Sequence, residues 1–241
     1  MNIFIFTGGD YPSPEDCQSF IENMASPDYV IAADSGLDTL KVFSDYYKGK
    51  YDFTPSLITG DMDSLKDKSL IETYSDCAIK RYPHDKDYSD TELALKDACL
   101  IPGNGSGNLI VLIGGDGGRL DHLIGILDTF NSLYKADYWL CKENLLTSIS
   151  KGQKLFIKNL DKEDRLSVIN PCCGELKITT SGLKWGGDLF KSRSLVSSLS
   201  NRIDDETLDK KKEVILNVLQ GHCLVISPLQ TIMYKEVTYE K

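Results

Sequence analysis

Three stretches of this 241-residue chain carry side chains whose types and spacing suit chemistry. In Gly60-Asp61-Met62-Asp63-Ser64, two carboxylates stand one residue apart beside a permissive glycine. Such a pair can hold a hard divalent cation, magnesium, calcium or manganese, all of which take oxygen ligands. The same five residues also fit a turn with an aspartate N-cap. The second stretch, Asp85-Lys86-Asp87-Tyr88-Ser89-Asp90-Thr91-Glu92, crowds more carboxylates together. It is not an EF-hand loop, because Asp90 stands at the sixth position, where glycine is needed, and Lys96 at the twelfth. Ser89-x-x-Glu92 reads as a capping box, with Asp90 in the first helical turn. Capping accounts for Ser89 and Glu92 but not for Asp85, Asp87 and Asp90, which repel one another unless a cation compensates.

The third stretch is Gly114-Gly-Asp-Gly-Gly-Arg119-Leu-Asp121-His122. Four glycines free the backbone to wrap a phosphate, and Arg119 adds a charge-assisted clamp. A Walker A loop needs Gly-Lys-Ser/Thr, and GxGxxG would need glycine at Leu120. A P-loop kinase and a dinucleotide dehydrogenase are therefore set aside. In the second half, Gly182-Leu-Lys-Trp185 and Ser197-Ser-Leu-Ser-Asn201 stand out. Composition alone makes Trp185 a core anchor; its face could instead stack on a flat or cationic ligand. Ser198, Ser200 and Asn201 could orient that ligand or satisfy a turn.

These residues need elements to position them. Residues 3–6, 29–33, 56–59, 78–82, 109–113 and 137–140 read as strands, nearly continuous in apolar character as strands buried on both faces are. Helix-capable segments at about 14–25, 36–46, 65–75, 90–100 and 119–134 alternate with them. That order predicts an α/β fold: an N-terminal, mostly parallel sheet flanked by helices, with its site outside the carboxyl ends of the strands. All three chemical stretches follow strands in this reading. After residue 146 the strands become short and turn-rich, which predicts a small antiparallel β-sandwich with a hairpin over 214–227 turning near Gly221. The expected domains are 1–145 and 146–241. Gly103–Gly107 reads as a flexible surface loop.

The net charge of −9 argues against a nucleic-acid partner, which would need a cationic face. It divides unevenly: −12 over residues 1–145 and +3 over 146–241. The longest aliphatic run, Leu109 to Ile113, is far short of the ~20 residues a membrane helix needs. The first ten residues have no basic n-region, so no secretory signal is expected. Seven cysteines at irregular spacing, with Cys172 and Cys173 adjacent, suit buried thiols in a reducing compartment, and hence a cytoplasmic location.

In their order along the chain, these segments resemble the thiamine pyrophosphokinase family. The matching stretches are Ala33-Asp34-Ser35-Gly36, Gly60 to Ser64, Pro83 to Leu95, Gly114 to His122, Gly182 to Trp185 and Ser198 to Asn201. The resemblance implies transfer of the diphosphoryl group of ATP to thiamine, giving thiamine diphosphate and AMP. It implies magnesium as cofactor, held with the ATP phosphates by Asp61, Asp63 and Asp90, with Asp87 in support. Asp34, Gly36 and Lys86 would contact substrate on the nucleotide side, while Arg119 and Asp121 orient phosphate. Trp185 would stack on the thiamine pyrimidine, with Ser198, Ser200 and Asn201 around it. A homodimer is implied, the site lying between the catalytic domain of one subunit and the sandwich of the other. Relatives usually have glycine where this chain has Ser35. Two alternatives remain: a magnesium-dependent transferase acting on another planar alcohol, and a nucleotide- or thiamine-binding protein without catalysis.

Overall fold

The computed structural model describes residues 1–103, 107–172, 174–192 and 195–237. Residues 104–106 of the expected glycine loop, and Cys173, lie outside them. The chain divides into two compact units, Met1–Lys142 and Glu143–Lys241.

In the first unit, strands and helices alternate: β1 (Asn2–Phe6), α1 (Gln18–Met24), β2 (Tyr29–Ala33), α2 (Gly36–Tyr46), β3 (Leu57–Gly60) and α3 (Ser69–Thr73). The order continues through β4 (Ala78–Arg81), α4 (Asp90–Leu100), β5 (Leu109–Ile113), α5 (Leu120–Thr129) and β6 (Tyr138–Leu140). The strands pair in the order β6-β5-β1-β2-β3-β4, and every pairing is parallel. Ile3, Phe4, Ile5 and Phe6 are all fully buried, because β1 is central and covered on both faces. β4 is the edge strand; all four of its residues are exposed, and Lys80 and Arg81 blunt that edge.

Helix α2 buries Leu37, Leu40 and Phe43, spaced three apart on one face. Phe43 meets Phe6 edge-on at 5.2 Å and Phe53 at 6.2 Å. Each such buried side chain stabilises the fold by about 2 kcal/mol. The helix can come this close because its first residue is Gly36. A Cβ there would lie 2.1 Å from the Phe6 carbonyl oxygen.

The second unit is a two-sheet antiparallel sandwich. Its elements are β7 (Asn144–Ser150), β8 (Gln153–Lys158), β9 (Leu166–Ile169), β10 (Glu175–Ser181), β11 (Gly187–Ser192), β12 (Val196–Asn201), α6 (Asp205–Asp209), β13 (Val214–Gln220), β14 (His222–Pro228) and β15 (Ile232–Val237). One sheet runs β12-β9-β14-β7 and the other β11-β10-β13-β8-β15. Alternate residues of both supply one core, with Val168 and Val225 facing Ile178 and the Val214, Leu216, Val218 row. The expected 214–227 hairpin is not formed. β13 pairs with β10 and β8, whereas β14 pairs with β7 and β9. Gly221 is therefore a corner where the chain changes sheets. Each strand has a face to bury, and crossing over lets both contribute to the same core.

Gly36→Ala is expected to cost about 3 kcal/mol, since the colliding atom is backbone and the helix must shift as a body. Urea unfolding of the variant beside the parent would measure it.

Candidate active site

The strand order places the switch point between β1 and β5, whose successors diverge to opposite sides of the sheet. In open parallel sheets that is where a crevice forms at the carboxyl ends. The loop after β5 is fastened to the loop after β1. Gly115 N donates to Gly8 O at 2.8 Å, and Asp10 and Asp116 exchange backbone bonds of 2.6 and 3.1 Å. Trp139 Nε1, buried, donates to Gly114 O at 2.7 Å and holds the same loop from β6. A pocket of about 530 Å³ opens here, lined by Gly8, Asp34, Lys86, Asp90, Gly117 and Arg119 among others.

Beside it, carboxylates from three successive loops meet. One oxygen each from Asp34, Asp61 and Asp90 lie within 4.8 Å of one another. The backbone is bent to achieve this. Asp34 and Met62 both have left-handed φ values, 47° and 63°, which an unbranched side chain such as that of Met adopts only at a cost of about 1–3 kcal/mol. The Met62 side chain is buried, as is Leu65, and they anchor the loop from below. Lys66 N donates to Asp38 Oδ2 at 2.9 Å and ties the loop to α2. With Met62 turned inward, Asp61 and Asp63 on either side are left to the site. Gly60 makes room: a Cβ there, at φ 133°, would stand 3.0 Å from Asp90 Oδ1 and 3.2 Å from Asp34 Cβ. On α4, the Ser89 hydroxyl accepts from Glu92 N and the Glu92 carboxylate from Ser89 N, so the capping box is complete and Asp90 opens the helix.

Electrostatics divide the three carboxyls. Lys86 Nζ donates to Asp61 Oδ2 at 2.9 Å and holds the Asp61 carboxyl down at about 2. Burial pushes the Asp34 and Asp90 carboxyls up, and their neighbours' negative charge adds to this. Lys86 stands 3.3 Å from Asp90 Oδ1, an ion-pair distance without hydrogen-bond geometry. Asp34 Oδ1 and Asp90 Oδ1 are buried and, among the described residues, accept no hydrogen bond. Hard oxygen donors, converging and with two of them short of hydrogens, fit a divalent cation such as magnesium. His84 Nδ1 lies 3.1 Å from Asp63 Oδ2 and 3.3 Å from Asp61 Oδ2. Sequence reasoning assigned His84 no role; only the fold of the 83–89 loop brings it to these carboxylates.

Residues 20–141, just over half of the chain, match the family described as thiamin pyrophosphokinase, catalytic domain. The chain belongs to the thiamin pyrophosphokinase family. Solved structures of thiamin pyrophosphokinases carry its fold. That from Geobacillus thermodenitrificans is 22% identical over 95% of this chain and 97% of that one, with a TM-score of 0.67. The thiamine pyrophosphokinase from Bacillus subtilis is 18% identical over 95% and 99%, with a TM-score of 0.66. The thiamin pyrophosphokinase from Candida albicans is 15% identical over 94% and 89%, with a TM-score of 0.64. At these identities the likeness is one of fold. No curated protein sequence matches the chain.

The family match ends at Cys141, so the remaining expected residues rest on the sandwich's own geometry. Trp185 is 52% exposed and is not the core anchor that composition suggested. The buried Asn201 amide clamps its backbone: Trp185 N donates to Asn201 Oδ1 at 3.2 Å, and Asn201 Nδ2 donates to Trp185 O at 2.9 Å and to Ser198 Oγ at 3.3 Å. Ser200 takes φ 55° where the β12–β9 register slips, and its N donates to Ser167 Oγ at 3.1 Å. Lys184 Nζ and Arg202 Cζ stand 5.5 and 5.6 Å from the Trp185 ring.

Of the residues expected in the α/β unit, Asp87 and Arg119 also line the pocket. Arg119 pairs with Asp121 through bonds of 2.6 and 3.2 Å, and both are exposed. Gly36 is buried beneath the pocket rather than lining it; the crowding against Phe6 O accounts for the glycine. Ser35 has φ −61° and ψ −6°, a conformation that needs no glycine.

Asn201→Ala should free the Trp185 segment and leave half-buried backbone groups unpaired, at about 1 kcal/mol. In a Trp139→Phe background, iodide quenching of the remaining tryptophan should rise.

Proposed function

We propose that this protein transfers the diphosphoryl group of ATP to the hydroxyethyl oxygen of thiamine, giving thiamine diphosphate and AMP, with magnesium as cofactor. The observation that carries the reading is the convergence of Asp34, Asp61 and Asp90 beside the switch-point pocket in a chain of this family. Asp61, Asp63 and Asp90 would hold magnesium, which supplies charge neutralisation for the triphosphate. Amides of the Gly114–Gly118 loop and the Arg119 guanidinium receive phosphate oxygens. Arg119 can turn to them because its partner, Asp121, is solvated. Asp87 supports the acidic loop, and Asp34 borders the nucleotide.

Thiamine's oxygen attacks the β-phosphorus while AMP leaves in line, so the chain's work is positioning and electrostatics. The alcohol's proton passes to the acidic cluster. Trp185 receives the neutral pyrimidine rather than the charged thiazolium, since Lys184 and Arg202 already flank its ring. Ser198, Ser200 and Asn201 frame that ring. A homodimer, in which the sandwich of one copy completes the site of the other, is part of the proposal. So is a cytoplasmic location, supported by free thiols at Cys17, Cys77, Cys99, Cys141, Cys172 and Cys223. Among the described residues no helix is long and apolar enough to cross a membrane.

Purified protein with ATP, magnesium and thiamine should form AMP and thiamine diphosphate, resolved by ion-pair chromatography. Turnover only with another alcohol would favour the broader transferase, and ATP binding without any turnover a non-catalytic protein. Asp61→Asn should lower kcat by about 100-fold or more, whereas Trp185→Ala should raise KM for thiamine about tenfold and leave kcat close to the parent's. Sedimentation at micromolar concentration should give twice the chain mass; an active monomer would remove the shared site.

A further inference from the structure

Lys86 holds an unusual place. Its side chain is 13% exposed, and its ammonium contacts Asp61 Oδ2 at 2.9 Å and Asp90 Oδ1 at 3.3 Å. Lysine is seldom buried so far unless it is paired. Here it stands where the three carboxylates converge, and its charge offsets their repulsion. The local chain puts it there. The capping box fixes where α4 begins, and Lys86 lies four residues before Asp90, on the loop that passes back over Asp61. The ammonium rides on a four-carbon stem that can swing without moving the backbone. The two carboxylates it contacts are among the three that a divalent cation in this cluster would take. Two cations seated on the same carboxylates repel each other at close range.

We infer that Lys86 is a built-in counter-cation: a positioning residue that competes with the divalent ion for Asp61 and Asp90 and so sets its affinity. Displaced by the ion, the ammonium turns into the pocket it already lines, where it meets the phosphates of the nucleotide. Metal and nucleotide binding are thereby coupled, because phosphates reward the displaced lysine. The inference rests on the metal reading given under Proposed function.

The test uses Mn²⁺ as a spin probe, titrated into the full-length protein near neutral pH without nucleotide. Lys86→Met keeps the stem and removes the charge; Lys86→Arg keeps the charge. Asp61→Asn is the control for the site. Binding at least about tenfold tighter in Lys86→Met than in the parent, with Lys86→Arg close to the parent, supports the inference. ATP should then tighten Mn²⁺ binding in the parent more than in Lys86→Met. Mn²⁺ bound by the parent, lost in Asp61→Asn, yet no tighter in Lys86→Met overturns the role of Lys86 alone. Mn²⁺ bound by neither the parent nor Lys86→Met overturns the metal reading and this inference with it. Should Lys86→Met not fold, as judged by its thermal melt, Lys86→Gln carries the same comparison.

Discussion

Negative charge is forced together where β2, β3 and β4 end, and most of the α/β unit can be read as the means of tolerating it. Asp34, Asp61 and Asp90 come from three different loops, and each would be better solvated apart. A lysine ammonium lies against two of them, and the start of α4 presents its dipole to Asp90. The balance is uneven. Asp61 is held firmly charged, while Asp34 and Asp90 are driven toward their protonated forms. A cluster poised in this way responds strongly to any cation placed near it.

Such a cluster persists only on a scaffold that does not yield. β1 and its neighbours are buried on both faces, and the Phe6–Phe43–Phe53 contacts lock α2 against them. Strain is concentrated in the loops instead, at Asp34 and Met62, where the well-packed elements on either side hold it in place. Burial of the Met62 side chain leaves the two flanking aspartates to the site.

The sandwich carries a different kind of site. Its Trp185 is an exposed ring on a segment held by one buried amide, with cations close to it. The sequence charge of +3 over 146–241, against −12 over 1–145, has this local counterpart. The two units thus differ in chemistry as well as architecture.

Much of this was legible in the residues. Parallel strands followed from apolar runs such as Leu109–Ile113, and the capping box at Ser89 and Glu92 from its spacing, because both are local properties of a few consecutive side chains. The crossing at Gly221 was not read, because which sheet a strand joins depends on distant partners. The aspartates could be picked out one motif at a time, but not their convergence. His84 reaching Asp63, Lys86 bridging Asp61 and Asp90, and Gly36 packing under Phe6 are contacts between loops far apart in sequence. The sequence alone determined the order of elements and which residue types were at hand. Tertiary structure decided which of them meet, because charge repulsion, burial and close approach act through space rather than along the chain.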